Sequence, residues 1–141
     1  MPGVLETIPS LSQNNQLGLV TGNIEVMARK KLKKFSTDEK SLNDYFQFGG
    51  FGNDIHEKRS DLIILAIKRA KNNHGWKKNN SVYVVDDTFR GIGAAIEASE
   101  RIKTKIITIG ITTGIYSKEQ LKEAGADIIV DNFNEIPELI R

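Results

Sequence analysis

The sequence predicts a three-layer α/β/α fold built on a mostly parallel sheet. Apolar, strand-like runs alternate along the chain with segments of helical periodicity. Two runs, residues 81–85 and 105–111, are rich in β-branched residues and almost continuously apolar, which is typical of strands buried on both faces of a parallel sheet. With 141 residues, 39% of them hydrophobic and 27% charged, we expect a single domain over residues 1–141.

Strands and helices are expected to alternate from one end of the chain to the other. The expected strands are residues 17–20, 81–85, 105–111 and 127–130, and residues 45–51 are expected to contain a short strand that leads into a glycine-rich loop. The expected helices are residues 24–34, 61–73, 92–102, 117–124 and 136–140. Asn23 and Ser60 are candidate N-caps, and Gly125 is a candidate C-cap. Ligands of such folds bind beyond the carboxyl ends of the strands, so the residues that follow the strands are the candidates for a site.

Composition excludes several classes of function. The sequence has no cysteine, which excludes disulfides, thiolate metal sites and cysteine nucleophiles. A net charge of +2 is too small for a nucleic-acid-binding protein, and the basic run of residues 30–34 lacks interleaved aromatic residues, which favours a solvated helix end. No apolar run approaches the roughly 20 residues of a membrane span. We therefore expect a cytoplasmic protein without nucleic-acid or membrane partners.

The first candidate site follows the strand at residues 17–20. Thr21, Gly22 and Asn23 lie between this strand and the next helix. A threonine hydroxyl can donate to a phosphate oxygen there, and the backbone N–H groups and dipole of the helix attract an anion. An ordinary capped βα turn has a similar sequence, and the motif taken alone is more typical of such a turn than of an anion site.

A second candidate follows the strand at residues 81–85. Asp86 and Asp87 are adjacent carboxylates after a buried strand, an arrangement that is costly unless they bind a cation or are solvated. A set of oxygen ligands favours Mg²⁺, although a capping loop before the next helix is an equally good interpretation. A third polar strand end, at Thr112, follows residues 105–111.

Basic residues precede the helix expected at residues 61–73. Lys58 or Arg59 could neutralise a phosphate and its developing negative charge. Taken alone, the pair is more typical of a surface charge run, and the sequence does not choose between the two residues.

Considered in order, these segments resemble the haloacid dehalogenase-like hydrolases, and in particular their phosphoglycolate phosphatase-like branch. Residues 20–23 resemble the family's second motif, residues 51–62 the segment with its third, basic motif, and residues 84–95 its fourth, acidic motif. Residues 112–114 and 124–127 resemble its closing segments. The resemblance covers about residues 1 to 134 and implies a Rossmann-like three-layer core, of which this chain would be the C-terminal part.

The resemblance implies Mg²⁺-dependent phosphoester hydrolysis of a small phosphorylated molecule through an aspartyl-phosphate. Thr21, with Gly22 and Asn23, would bind the phosphoryl group, and Arg59 or Lys58 would neutralise it. Asp87 would hold the metal, and Asp86 would supply a second carboxylate. We expect Thr21, Asp87 and Thr112 at one edge of the sheet. The substrate cannot be read from these residues, because the cap that selects it in the family has no counterpart among them.

The sequence departs from the family pattern in two ways. The family usually has glycine at the position of Asp86 and an acid at the position of Gly91. Its first motif, a strand that ends in Asp-x-Asp-x-Thr and carries the nucleophile, is not found in these residues. We therefore expect the chain alone to be inactive, with weak binding of Mg²⁺ and phosphate. We also expect a second chain to supply or cover the missing central strand, which in the family lies between the strands that end at Thr21 and Asp87.

Three functions follow from this pattern. The first is a truncated or split hydrolase. The second is a non-catalytic module of the same fold that binds phosphate, a metal or a partner. A signalling receiver domain is the least favoured of the three, because receivers place their acidic pair after the first strand.

Overall fold

The computed structural model describes residues 3–73, 75 and 81–140. The helices are α1 (Val4–Ser12), α2 (Glu25–Lys33), α3 (Arg59–Asn73), α4 (Phe89–Ile102), α5 (Lys118–Glu123) and α6 (Ile136–Leu139). The strands are β1 (Gly18–Val20), β2 (Phe48–Gly50), β3 (Val82–Asp86), β4 (Ile106–Ile111) and β5 (Ile128–Val130). Two short 3₁₀ turns, Leu42–Tyr45 and Phe133–Glu135, complete the described elements.

The chain divides into two compact units. The N-terminal unit comprises residues 4–77, and the C-terminal unit comprises residues 78–141 with residues 1–3. In the N-terminal unit β1 and β2 form a two-stranded parallel sheet, and in the C-terminal unit β3, β4 and β5 form a three-stranded parallel sheet in that order. The predicted α/β class and the parallel pairing are confirmed, with the strands in two sheets. The single domain expected over residues 1–141 stays a prediction.

In the N-terminal unit the backbone of helix α3 lies very close to the backbone of strand β2. The buried face of α3 packs against β2, and Leu62 is only 1% exposed. A Cβ at Gly50 would lie 2.2 Å from the carbonyl oxygen of Leu62. Only glycine at this position lets the helix backbone lie directly on the strand, which fixes the strand end that leads into the next loop.

Small and branched side chains fill the core of the C-terminal unit. Ile109 and Ile111 of the central strand β4 are fully buried, as are Ile92, Ala95 and Ala98 of α4. The alanines bring α4 close to the sheet, which places the N-terminus of α4 directly after the carboxyl end of β3.

Helix ends account for the main differences from the sequence-based expectation. The N-cap of α2 is Ile24 and not Asn23, and its side chain makes no capping bond. Helix α3 begins at Arg59, so that Ser60 lies inside its first turn, completely buried. Gly125 does close α5, with a left-handed φ of +104°. Helix α1 was not predicted, because it is short and contains Pro9.

In the part of the chain that the structure describes, every helix is too short or too polar to cross a bilayer. The cytoplasmic location expected from the sequence stays a prediction.

Candidate functional site

The turn after β1 exposes a hydroxyl group and a backbone amide. The backbone N–H of Asn23 donates to Thr21 Oγ1 at 3.1 Å, which leaves the hydroxyl proton of Thr21 for another acceptor. The Thr21 N–H donates to the Gly50 carbonyl at 3.1 Å and continues the parallel pairing of β1 with β2. Gly22 is exposed, and a Cβ there would meet nothing within 4 Å. The turn can therefore donate from Thr21 Oγ1 and from the Gly22 N–H to an anion.

The loop after β2 lies directly against this turn. The Gly52 N–H donates to the Asn23 carbonyl at 2.8 Å. A Cβ at Gly52 would lie 2.0 Å from the Gly22 carbonyl oxygen, so no other residue fits without moving the turn. The Asn53 side chain reaches the start of α2, where its Oδ1 accepts from the Glu25 N–H at 2.7 Å. Asn53 thus provides the cap that the sequence assigned to Asn23.

An ion pair holds the other side of this loop. Arg69 donates from Nη1 to Asp54 Oδ2 at 2.9 Å and from Nη2 to Asp54 Oδ1 at 2.7 Å. The hydrogen bond from Arg69 is the main reason that the pKa of Asp54 lies below its ordinary value, and burial opposes it. The bond from the Phe51 N–H and the charges of Arg69 and His56 lower this pKa further. The ion pair with Arg69 therefore favours the ionised form of Asp54.

The candidate basic residues lie where α3 begins. Asp61 Oδ2 accepts from the backbone N–H groups of Glu57 and Lys58, both at 2.9 Å, and so fixes the chain just before the helix. Lys58 is exposed and Arg59 is partly buried. Both belong to the N-terminal unit, as Thr21 does, and both remain candidates for the basic residue.

Asp86, at the end of β3, is turned towards the start of α4. Its Oδ1 accepts from the Thr88 N–H at 2.8 Å and from Thr88 Oγ1 at 2.7 Å. Thr88 is the N-cap of α4 and accepts in turn from the Gly91 N–H at 2.9 Å. A Cβ at Gly91 would lie 2.0 Å from Asp86 Cγ and Oδ2. The carboxylate of Asp86 thus occupies the space in which a side chain at position 91 would begin.

Asp87 points in a different direction from Asp86. A Cβ at Gly114 would lie 2.6 Å from Asp87 Oδ2, which places this carboxylate over the loop after β4. In the same loop Thr113 Oγ1 is buried and, among the described residues, is the one such side-chain atom without a hydrogen-bond partner. Thr112 Oγ1 donates to Asp131 Oδ1 at 2.8 Å and is engaged with the end of β5.

These donors match Mg²⁺ in kind. Asp87 and the unpartnered hydroxyl of Thr113 offer oxygen atoms only, which Mg²⁺ prefers, whereas the carboxylate of Asp86 is engaged with Thr88. Among the residues described, no group of three or more histidine, cysteine, aspartate or glutamate side chains could hold a metal. The C-terminal unit therefore offers a partial set of Mg²⁺ ligands that needs further oxygen atoms, such as water.

The structure brings the predicted residues together in two groups. Thr21, Gly22 and Asn23 form one turn of the N-terminal unit, and the two candidate basic residues lie in the same unit. Asp87 and Thr112 follow the adjacent strands β3 and β4, at the same edge of the C-terminal sheet. That Thr21 shares this edge stays a prediction.

Sequence reasoning missed four supporting residues: Asn53, Asp54, Arg69 and Thr113. The sequence could have indicated Arg69, because it lies three residues after Ala66 on the apolar face of α3, and a charged side chain on such a face needs a partner.

A family model described as haloacid dehalogenase-like hydrolase matches residues 1–105. The parallel α/β units carry polar residues after β1, β3 and β4, as the sequence comparison with this family led us to expect. The chain belongs to the haloacid dehalogenase-like hydrolase family. A search of the curated proteins gave no significant match.

Solved structures with this fold come from several organisms. A haloacid dehalogenase-like hydrolase from Streptococcus pneumoniae superposes with a TM-score of 0.80 at 16% identity, over 100% of this chain and 60% of that one. A predicted phosphatase from Clostridium acetobutylicum gives 0.75 at 23% identity, over 98% and 58%. An archaeal β-phosphoglucomutase from Pyrococcus gives 0.71 at 23% identity, over 96% and 53%. The chain thus spans between half and two-thirds of the length of these relatives, which at such identities show the fold alone.

Proposed function

We propose that this chain provides the phosphate-binding and metal-binding part of a phosphatase-type hydrolase that acts on a small phosphorylated molecule with Mg²⁺. The geometry of the Thr21 turn carries the proposal. Its hydroxyl group accepts from a backbone N–H at 3.1 Å and keeps its own proton for a ligand. An anion with several acceptor oxygens, such as a phosphoryl group, fits this donor and the neighbouring exposed amide of Gly22.

Phosphoryl transfer depends mainly on positioning and charge neutralisation. In the proposed reaction Thr21 Oγ1 and the Gly22 N–H orient the phosphoryl oxygens, with Asn23 fixing the hydroxyl group. Arg59 or Lys58 neutralises their charge. Asp87, with Asp86 beside it, would hold Mg²⁺, which when bound neutralises charge on the phosphoryl oxygens.

The nucleophile has no counterpart in this sequence, which contains no Asp-x-Asp-x-Thr. We propose that the chain alone does not turn over phosphoesters, because a phosphoryl acceptor must lie in line with the leaving group. In the family that acceptor is an aspartate, and the reaction passes through an aspartyl-phosphate.

An open strand edge supports the need for a second polypeptide segment. In the described part of the chain β3 pairs with β4 alone. Its residues are all only partly buried, whereas most of β4 is buried. The strand is mostly apolar and contains no lysine or proline, the residues that usually protect an edge. We propose that an extended apolar strand of another chain adds to β3 and supplies the nucleophile.

The test measures binding and turnover separately. Inorganic phosphate with Mg²⁺ is titrated into the full chain while the Gly22 amide is followed by NMR, and Thr21→Val is compared with Thr37→Val, a hydroxyl removed from another turn of the same unit. We expect saturable shifts at Gly22 that Thr21→Val abolishes and Thr37→Val retains.

A generic phosphoester with Mg²⁺ is then incubated with the same chain. Absence of turnover together with phosphate binding supports the proposal. Turnover that Asp87→Ala abolishes would show that the nucleophile lies within this chain. Lack of any shift at Gly22 would favour the alternative function, a partner-binding module without a phosphate site.

A further inference from the structure

Arg69 lies in α3, ten residues after the start of the helix, and is not among the residues assigned to the site. Its side chain is 34% exposed and that of its partner Asp54 is 16% exposed. Both carboxylate oxygens of Asp54 accept from the guanidinium, at 2.9 and 2.7 Å. The Nη1 group also donates to the Gly49 carbonyl at 2.8 Å. The guanidinium thus joins the helix, strand β2 and the loop that follows it in one fork-shaped contact.

Asp54 passes this contact on to the loop backbone. Its Oδ2 accepts from the Phe51 N–H at 2.9 Å, and its own N–H donates to the Phe51 carbonyl at 2.9 Å. The two bonds close residues 51–54 into a tight ring. One carboxylate oxygen, Oδ2, therefore connects the guanidinium directly to the start of the ring.

The two residues inside this ring are those that contact the Thr21 turn. The Gly52 N–H donates to the Asn23 carbonyl at 2.8 Å. Asn53 Oδ1 accepts from the Glu25 N–H at 2.7 Å at the start of α2. Both contacts lie on the C-terminal side of Thr21 and Gly22, one just after them and the other at the start of the next helix, so the ring fixes the path by which the chain leaves the turn.

We propose that Asp54 and Arg69 are positioning residues that hold the Thr21 turn in its phosphate-binding conformation. This inference rests on the proposed function of that turn. Arg69 is itself engaged with Asp54, the Gly49 carbonyl and the ring, so it acts through Gly52 and Asn53 rather than by contacting the ligand. A residue that only stabilised the unit would affect all of its backbone hydrogen bonds, whereas a positioning residue affects these contacts first.

The experiment compares Arg69→Met with Lys68→Met in the full chain. Lys68 is the exposed neighbour on the same helix, so its loss removes one positive charge without touching the ring. Arg69→Lys tests partial restoration of the contact. Asp54→Asn weakens the same contact from the other side and carries the test if Arg69→Met does not fold. Two quantities are measured for each variant: hydrogen exchange at the Gly52 and Glu25 amides, and the Kd for inorganic phosphate from the Gly22 amide shift.

We expect Arg69→Met to speed exchange at Gly52 and Glu25. We also expect it to raise the Kd for phosphate by about tenfold, by analogy with the lower end of the loss seen when an outer-shell contact of a metal-binding side chain is removed. The Leu42 N–H, which donates to the Phe35 carbonyl at 2.8 Å in the same unit, should exchange as before. Arg69→Lys should give intermediate values, and Lys68→Met should match the unmodified chain.

Two results would overturn the inference. One is unchanged exchange at Gly52 and Glu25 in folded Arg69→Met or, if that variant does not fold, in folded Asp54→Asn. The other is faster hydrogen exchange at the Leu42 amide by the same factor, which would mean that Arg69 stabilises the whole unit and does not position the turn. If exchange at Gly52 depends on Arg69 but phosphate leaves Gly22 unperturbed in the unmodified chain, the turn is positioned as inferred and its proposed ligand is wrong.

Discussion

Gly91→Ala is the substitution whose effect depends most sharply on the arrangement of Asp86. A Cβ at position 91 would lie 2.0 Å from Asp86 Cγ and Oδ2, so the carboxylate must turn away. It would then lose its bonds from the Thr88 N–H and Oγ1, at 2.8 and 2.7 Å. Taken at about 1.5 kcal/mol each for partly buried, charge-assisted bonds, the loss is about 3 kcal/mol. The higher helix propensity of alanine over glycine offsets about 1 kcal/mol of this loss. We expect a net destabilisation of about 2 kcal/mol.

Gly93 provides the matched control. It lies in the same helix, is exposed, and a Cβ there would meet nothing within 4 Å. Gly93→Ala should stabilise the chain by about 0.5–1 kcal/mol through propensity alone. In an Asp86→Ala background the obstacle at position 91 is gone, so Gly91→Ala should become stabilising by the same amount. The two sites therefore couple by about 3 kcal/mol, within the usual range for residues in contact.

Urea unfolding of the four variants, followed by circular dichroism, measures these differences, provided that the slope with denaturant is unchanged. If Gly91→Ala stabilised as much as Gly93→Ala, or had the same effect with and without Asp86, the carboxylate would not occupy the space over position 91. The reasoning that relates the acid at position 86 to the glycine at position 91 would then be wrong.

Three further predictions concern the two sites. Gly52→Ala should weaken phosphate binding measured at the Gly22 amide, because the added carbon would lie 2.0 Å from the Gly22 carbonyl oxygen; unaltered affinity would contradict this close approach. The pKa of Asp54 is lowered on folding, chiefly by the hydrogen bond from Arg69. Its contribution is therefore complete above the unfolded value of about 3.9 and is lost as pH falls through the lower folded value. Below about pH 4 the free energy of unfolding should therefore fall less steeply with decreasing pH in Asp54→Asn than in the unmodified chain. The same pH dependence in both would contradict the expected contribution of Asp54. Calorimetry should show Mg²⁺ binding that is weak and lost in Asp87→Asn, because this unit offers few carboxylates; tight binding would mean that another ligand completes the site.

The sequence was sufficient for features that depend on local pattern. Continuous β-branched runs indicated the buried parallel strands β3 and β4, and their polar ends indicated Asp87 and Thr112 at one edge of that sheet. The positive φ of Gly125 was equally accessible, because a glycine after a short helical pattern is a common stop signal.

What the sequence could not show are contacts between distant segments. Asn53 caps a helix that begins 28 residues earlier in the chain, and no local pattern marks an asparagine for a helix that it does not precede. The adjacent acids gave the same difficulty. Asp87 was expected to hold the metal and Asp86 to supply a second carboxylate, yet Asp86 accepts from Thr88 in the space above Gly91, while Asp87 lies over Gly114. Their roles differ because of neighbours that are remote in sequence or small enough to be overlooked.

The tight approach of backbone to backbone around β2 has a consequence for how this protein can change over evolutionary time. Added carbons at Gly50 and Gly52 would lie 2.2 and 2.0 Å from carbonyl oxygens, and a carbonyl of a packed helix or turn cannot rotate away as a side chain can. Gly22 and Gly93, by contrast, have open space around them. Random substitution should be tolerated at the second pair and rejected at the first. The allele spectrum at these four codons would therefore distinguish a gene that is still selected for its fold from one that is drifting towards a pseudogene.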